Sequence, residues 1–297
     1  MSTEETDPRF IELDLWNTNE IVATIAEGQF AAISAVHNAR KELSMAVDSA
    51  YERLKDGKGR LVYIGAGTSG RVAVQDGVEL HPTYGWPNER LLFAMAGGER
   101  AIMHAVENAE DDFDAGKDVM ANANVGENDV LIGVAASGRT PFTLGALMEG
   151  KSRGALTIGM ANNHGTPILL EPHFSILLDT GPEPIAGSTR MKAGTAQKVA
   201  LNLFSTALMV KLGGVYRGLM VGMIATNQKL RNRAARIVSD LSGVDYDFAK
   251  DCVEKSNGDI KSAVLISYGA QSYEEAKKLL DKNSNNLRAA VRDFLGD

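Results

Sequence analysis

Short apolar segments alternate with helical segments through the middle of this sequence, and that alternation restricts the possible folds more than any other feature. In the strand-like segments nearly every residue is apolar and turn residues follow; these segments are 61–64, 91–95, 130–134, 155–160 and 174–178. Strands that are apolar on both faces are typical of a parallel sheet covered by helices on both sides. The sequence therefore predicts an α/β fold in three layers, with a parallel five-stranded sheet in the middle.

The segments on either side of this alternation indicate the domain organisation. Residues 1–60 read as an N-terminal arm and helices that pack on the main domain, and residues 61–240 as the main domain. Residues 241–297 read as a small separate helical module, with helical patterns at 244–256, 258–268 and 272–280.

Charge and composition exclude several classes of function. The 297 residues carry a formal net charge of −7, which gives no general basic surface for nucleic acid or anionic lipid. Cys252 is the single cysteine, so we expect a buried structural thiol and neither an intrachain disulfide nor a thiolate metal site. The acidic segment 1–5 lacks a signal-like apolar core, and no apolar run reaches the roughly 18 residues of a membrane span. We expect a cytoplasmic protein with no nucleic-acid or membrane partner.

A glycine-rich turn follows the first predicted strand, in the segment Gly65–Arg71 (Gly-Ala-Gly-Thr-Ser-Gly-Arg). Glycines let the backbone approach a ligand closely, and the helix that follows presents free N–H groups to an anion. The spacing also satisfies the dinucleotide pattern G-x-G-x-x-G, which further requires an acidic residue at the end of the second strand. Glu99 is near that position but follows two glycines, so a dinucleotide site is disfavoured.

The triplet Ser-Gly-Arg occurs twice, at 69–71 and 137–139, each time where a strand gives way to a helix. Because the carboxyl ends of parallel strands share one edge of a sheet, two such turns can bind one ligand. Their hydroxyls and amides suit a phosphate and sugar hydroxyls. The alternative is that Ser137 and Thr140 cap the next helix, with Pro141 at its first position.

Three segments resemble the N-acetylmuramic acid 6-phosphate etherases: Gly65–Arg71, Ala135–Pro141 and Gly187–Lys198. The last, Gly-Ser-Thr-Arg-Met-Lys-Ala-Gly-Thr-Ala-Gln-Lys, is long and close to a family signature. The resemblance covers roughly residues 18–240, and the C-terminal module is similar to a ubiquitin-associated-like (UBA-like) helical domain. It implies the sugar-isomerase (SIS) fold, a three-layer α-β-α sandwich, without a metal or other cofactor. The glucokinase regulatory protein shares this ancestry and is not an enzyme.

The resemblance also implies two catalytic glutamates. Glu79 begins the stretch Glu-Leu-His-Pro-Thr-Tyr-Gly, where the family has Glu-Cys-Pro-Pro-Thr-Phe-Gly. Glu110 lies in Asn-Ala-Glu-Asp, where the family has Gly-Ala-Glu-Asp. Segment 216–222, Tyr-Arg-Gly-Leu-Met-Val-Gly, also departs from the family pattern. Family members usually have Asn before Leu-Met-Val and Asp after it, where this chain has Gly218 and Gly222. From the residues alone, the acidic run 107–114 is typical of a solvated face, and His81 of a structural histidine.

The implied activity is cleavage of the lactyl ether at C3 of N-acetylmuramic acid 6-phosphate. In the open-chain sugar the C2 hydrogen is acidic because it is α to the C1 aldehyde, and the departing lactate oxygen needs a proton. By resemblance Glu79 is the acid and Glu110 the base for proton abstraction or water addition. The substrate-binding candidates are Thr68, Ser69, Ser137, Gly138, Arg139, Thr140, Ser188 and Thr189.

Three other functions are compatible with a fold of this kind: a regulator, an isomerase and a transcription factor. A non-catalytic sugar-phosphate regulator and a sugar-phosphate isomerase share the fold; the Gly187–Lys198 segment favours the etherases over the isomerases. A SIS-type transcription factor needs a helix-turn-helix and a basic face, which residues 1–60 lack. Segment 198–212 is apolar on most sides, and related SIS proteins form symmetric dimers, so we expect a homodimer.

Overall fold

The computed structural model describes residues 2–223, 225 and 227–296. It divides into two compact units. The first holds the chain up to Gly77 together with Glu89–Ser205, and the second holds Val78–Asn88 together with the chain from Thr206. The domain boundaries suggested after residues 60 and 240 stay predictions.

The centre of the first unit is a five-stranded parallel sheet with strand order β2-β1-β3-β4-β5. Its strands are β1 (Leu61–Gly65), β2 (Leu91–Met95), β3 (Val130–Val134), β4 (Leu156–Ala161) and β5 (Phe174–Leu177). Every residue of β1, β3 and β4 is buried, which is the reason that these strands are apolar throughout. The predicted sheet is confirmed.

Helices account for most of the remaining chain. They are α1 (Thr18–Asn38), α2 (Arg40–Leu54), α3 (Gly67–Val78), α4 (Leu80–Tyr84), α5 (Arg100–Met103), α6 (Phe113–Asn122), α7 (Pro141–Ser152), α8 (Pro167–Leu170), α9 (Lys192–Lys211), α10 (Gln228–Ser242), α11 (Tyr246–Lys255), α12 (Ile260–Ser267), α13 (Tyr273–Lys282) and α14 (Leu287–Leu295). Within the described ranges, no helix has both the length and the apolar character needed to cross a membrane.

The sheet is covered on both faces. On one face, Val62 and Ile64 of β1 belong to an apolar cluster with residues of α6, α7 and α8. On the other face, the fully buried Tyr63 donates its hydroxyl to the Asp76 carboxylate of α3 at 2.9 Å. Ser205 of α9 donates to the same carboxylate at 3.1 Å. Burial raises the pKa of Asp76 in spite of these two donors. The three-layer α-β-α arrangement is therefore present.

The second unit has its own apolar core, built from α10–α14 and a hairpin of β6 (Val215–Tyr216) and β7 (Leu219–Met220). Cys252 is fully buried in that core, and burial raises the pKa of its thiol, so the expected structural thiol is confirmed. The sequence predicted the helices at 244–256, 258–268 and 272–280 but missed α14, which is short and follows a polar turn. The UBA-like character of this module stays a prediction.

Candidate functional site

The turn after β1 leads directly into a helix. α3 begins at Gly67, two residues after β1 ends, so Thr68 and Ser69 lie in its first turn. The N–H groups of a first helical turn have no intrahelical acceptors. Ser69 is buried and Thr68 is partly exposed, and both side chains lie at the carboxyl edge of the sheet.

The turn after β3 has a conformation that requires glycine. Gly138 has φ +68°, and a Cβ atom at this position would lie 2.1 Å from Oγ1 of Thr166. Ser137 Oγ accepts a hydrogen bond from the N–H of Arg139 at 3.2 Å, which leaves the Ser137 hydroxyl hydrogen free to donate. Thr140 occupies the N-cap position of α7, but its side chain makes no capping hydrogen bond. Helix capping therefore does not account for these two hydroxyls.

A cleft of about 360 Å³ lies between these two turns. Because β1 and β3 are adjacent in the sheet, their strand-end turns are neighbours. The predicted binding residues on its walls are Thr68, Ser69, Ser137, Arg139, Thr140 and Thr189. Gly138 lies in the second turn and does not line the cleft; its positive φ angle sets the shape of that turn. Ser188, which precedes Thr189, does not line the cleft either.

Glu110 lines the same cleft. It lies in the short 3-10 turn Ala109–Asp111, which precedes α6, and its side chain is exposed. The members of the acidic run differ in their surroundings: Asp112 caps α6 by accepting the N–H of Ala115 at 2.8 Å, whereas the Asp114 side chain is 85% exposed. All the acidic side chains of the run are exposed, as expected of a solvated face, and Glu110 and Asp111 also line the cleft.

Glu79 belongs to the second unit. It precedes α4 at the N-cap position, is exposed, and makes no capping hydrogen bond. In the same segment Nδ1 of His81 lies 2.9 Å from the carbonyl oxygen of Trp86, which supports the structural interpretation of that histidine. The pairing of Glu79 with Glu110 stays a prediction.

The two segments that depart from the family pattern contact each other in the second unit. A Cβ atom at Gly222 would lie 2.3 Å from the carbonyl oxygen of Tyr84. A Cβ atom at Gly214, which precedes the β6–β7 hairpin, would lie 3.1 Å from Cδ1 of Tyr84. The loop after Glu79 and segment 216–222 therefore pack against each other. A substitution in one segment changes the surface against which the other packs.

Much of the Gly187–Lys198 segment serves to build the start of α9. The fully buried carboxylate of Glu183 accepts the N–H groups of Lys192 and Ala193 at 3.1 and 2.8 Å. A carboxylate at a helix N-terminus pairs with free N–H groups and with the positive end of the helix dipole. This cap holds the preceding loop, including Thr189, at the cleft. Sequence reasoning missed Glu183, because an acidic residue nine positions before the capped amide forms no recognisable capping pattern.

Glu4 is the other residue that sequence reasoning missed. It lines the cleft although it lies more than 60 residues before the nearest motif. A lone acidic residue in an acidic N-terminal arm carries no signal of this role.

A parallel sheet whose strand-end turns present hydroxyls and amides to one cleft defines a SIS-domain protein. The SIS domain model matches residues 98–207, and a model of the glucokinase regulatory protein N-terminal SIS domain matches residues 42–151.

The chain belongs to the N-acetylmuramic acid 6-phosphate etherase family, because relatives of that name match it over nearly its full length.

Three relatives illustrate the extent of the match. The protein of Deinococcus radiodurans is 49% identical, over 93% of this chain and 91% of the relative. The protein of Nostoc punctiforme is 41% identical, over 98% and 94%. The protein of Bacillus subtilis strain 168 is 38% identical, over 99% and 96%.

Proposed function

We propose that this protein is a carbon–oxygen lyase that acts on N-acetylmuramic acid 6-phosphate. It cleaves the ether between C3 of the sugar and D-lactate, consumes one water, and releases N-acetylglucosamine 6-phosphate and D-lactate. Family membership supports the activity. The observation that carries it within the structure is the cleft in which Glu110 faces hydroxyl-bearing turns at two adjacent strand ends.

The hydroxyl-bearing turns bind the phosphate. Ser69, Ser137 and Thr140 donate to its oxygens together with the first-turn amides of α3, and Arg139 adds a positive charge at the rim. Replacing Ser137 with Ala removes a donor to a charged group and raises the dissociation constant of N-acetylglucosamine 6-phosphate roughly 10- to 100-fold, measured by calorimetry. Ser152→Ala, at the far end of α7, is the matched control and leaves that constant unchanged.

The two glutamates carry out the proton transfers. Glu110 removes the C2 hydrogen of the open-chain aldehyde; the released electron pair forms the C2–C3 double bond as the C3–O bond breaks. Glu79 gives its proton to the departing lactate oxygen. In the return step Glu79 takes a proton from the attacking water, whose oxygen bonds to C3, and Glu110 returns its proton to C2. The reaction therefore needs one neutral and one ionised carboxyl group, and protons and electrons balance without a co-reactant.

One assay tests the activity. The purified protein is incubated with N-acetylmuramic acid 6-phosphate, and D-lactate is measured. Stoichiometric release of D-lactate and N-acetylglucosamine 6-phosphate is the expected result. Binding without release identifies a regulator, and conversion of an aldose phosphate to a ketose phosphate without lactate identifies an isomerase; either result overturns the proposal.

The protein acts as a homodimer in the cytoplasm. Exposed apolar residues on α1, namely Val22, Phe30 and Ile33, support self-association. A substrate that carries a phosphate is retained inside cells, because it does not cross lipid membranes.

A further inference from the structure

The N-terminal segment is tethered to the carboxyl edge of the sheet through Thr3, which is fully buried. The N–H of Thr3 donates to Oδ1 of Asn163 at 3.3 Å, and Nδ2 of Asn163 donates to Oγ1 of Thr3 at 2.9 Å. The same amide nitrogen also donates to the carbonyl oxygen of Ala136 at 2.9 Å. Ala136 precedes Ser137, so these bonds fix Thr3 beside the turn after β3.

A second tether joins Thr3 to the loop before α9. The N–H of Gly187 donates to the carbonyl oxygen of Thr3 at 2.9 Å. Gly187 has φ +74°, and a Cβ atom here would lie 3.0 Å from Oε2 of Glu4. The Glu4 carboxylate is therefore held against this loop, two residues from Thr189 on the wall of the cleft.

The Glu4 carboxylate differs in chemistry from the hydroxyl-bearing turns on the same cleft and shares its acceptor character with Glu110 and Asp111. Ser69, Ser137 and Arg139 are donors toward an anion, whereas an ionised carboxylate only accepts hydrogen bonds. In the part of the chain that the structure describes, no side chain or backbone group forms a hydrogen bond or ion pair with the Glu4 carboxylate. A ligand that pairs with both groups has hydrogen-bond acceptors at the end near Ser69, Ser137 and Arg139. At the end near Glu4 it has donors, such as hydroxyl or amide N–H groups.

We propose that Glu4 is a specificity-determining residue of this site, which accepts hydrogen bonds from the sugar part of a bound sugar phosphate. The proposal rests on the proposed function only for the class of ligand, an N-acetylamino sugar phosphate. Because like charges repel, Glu4 gives no favourable contact to a bare phosphate ion and disfavours phosphate at the Gly187 side of the cleft. Glu4 thus orients the sugar, with its phosphate toward the donors and its hydroxyl and amide groups toward the carboxylate.

The test compares two ligands on the full-length protein by calorimetry, namely N-acetylglucosamine 6-phosphate and inorganic phosphate. Glu4→Gln is expected to raise the dissociation constant of the sugar phosphate about 10-fold or more and to leave that of inorganic phosphate unchanged or lower. Glu5→Gln, which removes the neighbouring exposed carboxylate, is the matched control and is expected to change neither constant. Equal weakening of both ligands, or no change in either, overturns the proposal.

Thr3→Val provides a second variant, because it breaks the side-chain bond to Asn163 and keeps the shape of the residue. It is expected to weaken sugar-phosphate binding selectively, and adding Glu4→Gln to it is expected to cost less than in the wild-type background. Full additivity of the two changes contradicts a shared role. Since the ligands are a product and an ion, this result does not depend on lactate release, and the two proposals fail independently.

Discussion

At the scale of single residues, the two copies of the Ser-Gly-Arg triplet have different roles. The Arg71 side chain does not line the cleft, and its Nε donates to the carbonyl oxygens of Ala101 and Ile102 at 3.1 and 3.0 Å. It therefore fixes the end of α5. Arg139 instead lines the cleft and is exposed. One arginine of the repeated motif thus holds a helix in place, and the other lies on the wall of the cleft.

The proposed catalytic roles of Glu79 and Glu110 give the first residue-scale prediction. Glu110→Gln keeps the shape of the side chain but removes proton transfer, so turnover is expected to fall roughly 10²- to 10⁴-fold with ligand binding largely intact. If Glu110 is the C2 base, the rate at which the C2 hydrogen exchanges with solvent deuterium falls together with turnover in this variant. Glu79→Gln is expected to stop lactate release while that exchange continues, because only the acid is missing. Mass spectrometry of recovered substrate measures the exchange.

A matched control and an opposing outcome make this test decisive. Asp114→Asn alters a highly exposed carboxylate four residues beyond Glu110 and is expected to retain wild-type turnover. Full activity in both Glu79→Gln and Glu110→Gln contradicts the mechanism. Accumulation of the unsaturated intermediate in Glu110→Gln assigns Glu110 to water addition alone.

A partly buried ion pair gives a prediction on stability and pH. Arg60 and Asp129 precede β1 and β3, and their side chains meet at 2.7 Å. Burial alone raises the pKa of Asp129, but hydrogen bonds from Arg60 and from the N–H of Gly126 outweigh burial and bring the pKa below its usual value. The ionised form therefore stabilises the fold above an unfolded-state pKa of about 3.9, and this contribution is lost as pH falls through the lower folded-state value.

Asp129→Asn is accordingly expected to lower the free energy of unfolding by about 2 kcal/mol at pH 7. The difference from wild type is expected to shrink as the pH falls from about 4 toward the lower folded-state pKa, because the unfolded state takes up the proton first and Asp129 is neutral in both states only below that pKa. Urea unfolding at pH 7 and pH 3 measures both values, and Asp114→Asn is again the exposed control. A difference that stays constant with pH contradicts the assigned pKa direction.

At the scale of secondary-structure elements, the close contact of α6 and α7 connects the two halves of the cleft. A Cβ atom at Gly145 of α7 would lie 2.1 Å from the carbonyl oxygen of Phe113, and one at Gly116 of α6 would lie 2.0 Å from that of Phe142. α6 follows Glu110 and α7 follows the Ser137 turn, so this approach sets the position of the carboxylate relative to the hydroxyls. The two glycines thus serve the geometry of the site.

Gly145→Ala is expected to push the two helices apart and lower the free energy of unfolding by about 1–3 kcal/mol, with a further loss of turnover. Thermal unfolding and the lactate assay measure the two effects. Gly126→Ala is the matched control, since a Cβ atom there meets nothing within 4 Å, and it is expected to be neutral or slightly stabilising. Equal stability of the two variants contradicts the close-contact argument.

At the scale of the whole molecule, the expected homodimer has two candidate surfaces. Phe204 and Leu208 of α9 are fully buried, but Leu203 and Val210 of the same helix are 50% and 47% exposed, so part of the apolar face that the sequence indicated is uncovered. On α1, Val22, Phe30 and Ile33 are 60%, 76% and 52% exposed and share one face of the helix. An exposed apolar row of this kind is typical of a protein–protein interface.

The assembly prediction follows from that row. Sedimentation at micromolar concentration is expected to give twice the chain mass of 31.8 kDa. Phe30→Glu places a charge in the apolar row and is expected to weaken self-association roughly 100-fold, whereas Asn38→Glu, on another side of α1, leaves it unchanged. A wild-type species of 31.8 kDa alone refutes the dimer.

The sequence by itself determined the five strands, their parallel arrangement and the two strand-end turns that border the cleft. These features follow from local patterns, because continuous apolar runs mark buried strands and glycines mark turns. Only the tertiary structure decided that Glu4 lines the cleft, that Glu183 caps α9 and that Asp112 is a helix cap within an acidic run. The bond between Thr3 and Asn163 joins residues 160 positions apart. A contact of that span leaves no periodic pattern in the sequence, since it depends on how the chain has already folded around the sheet.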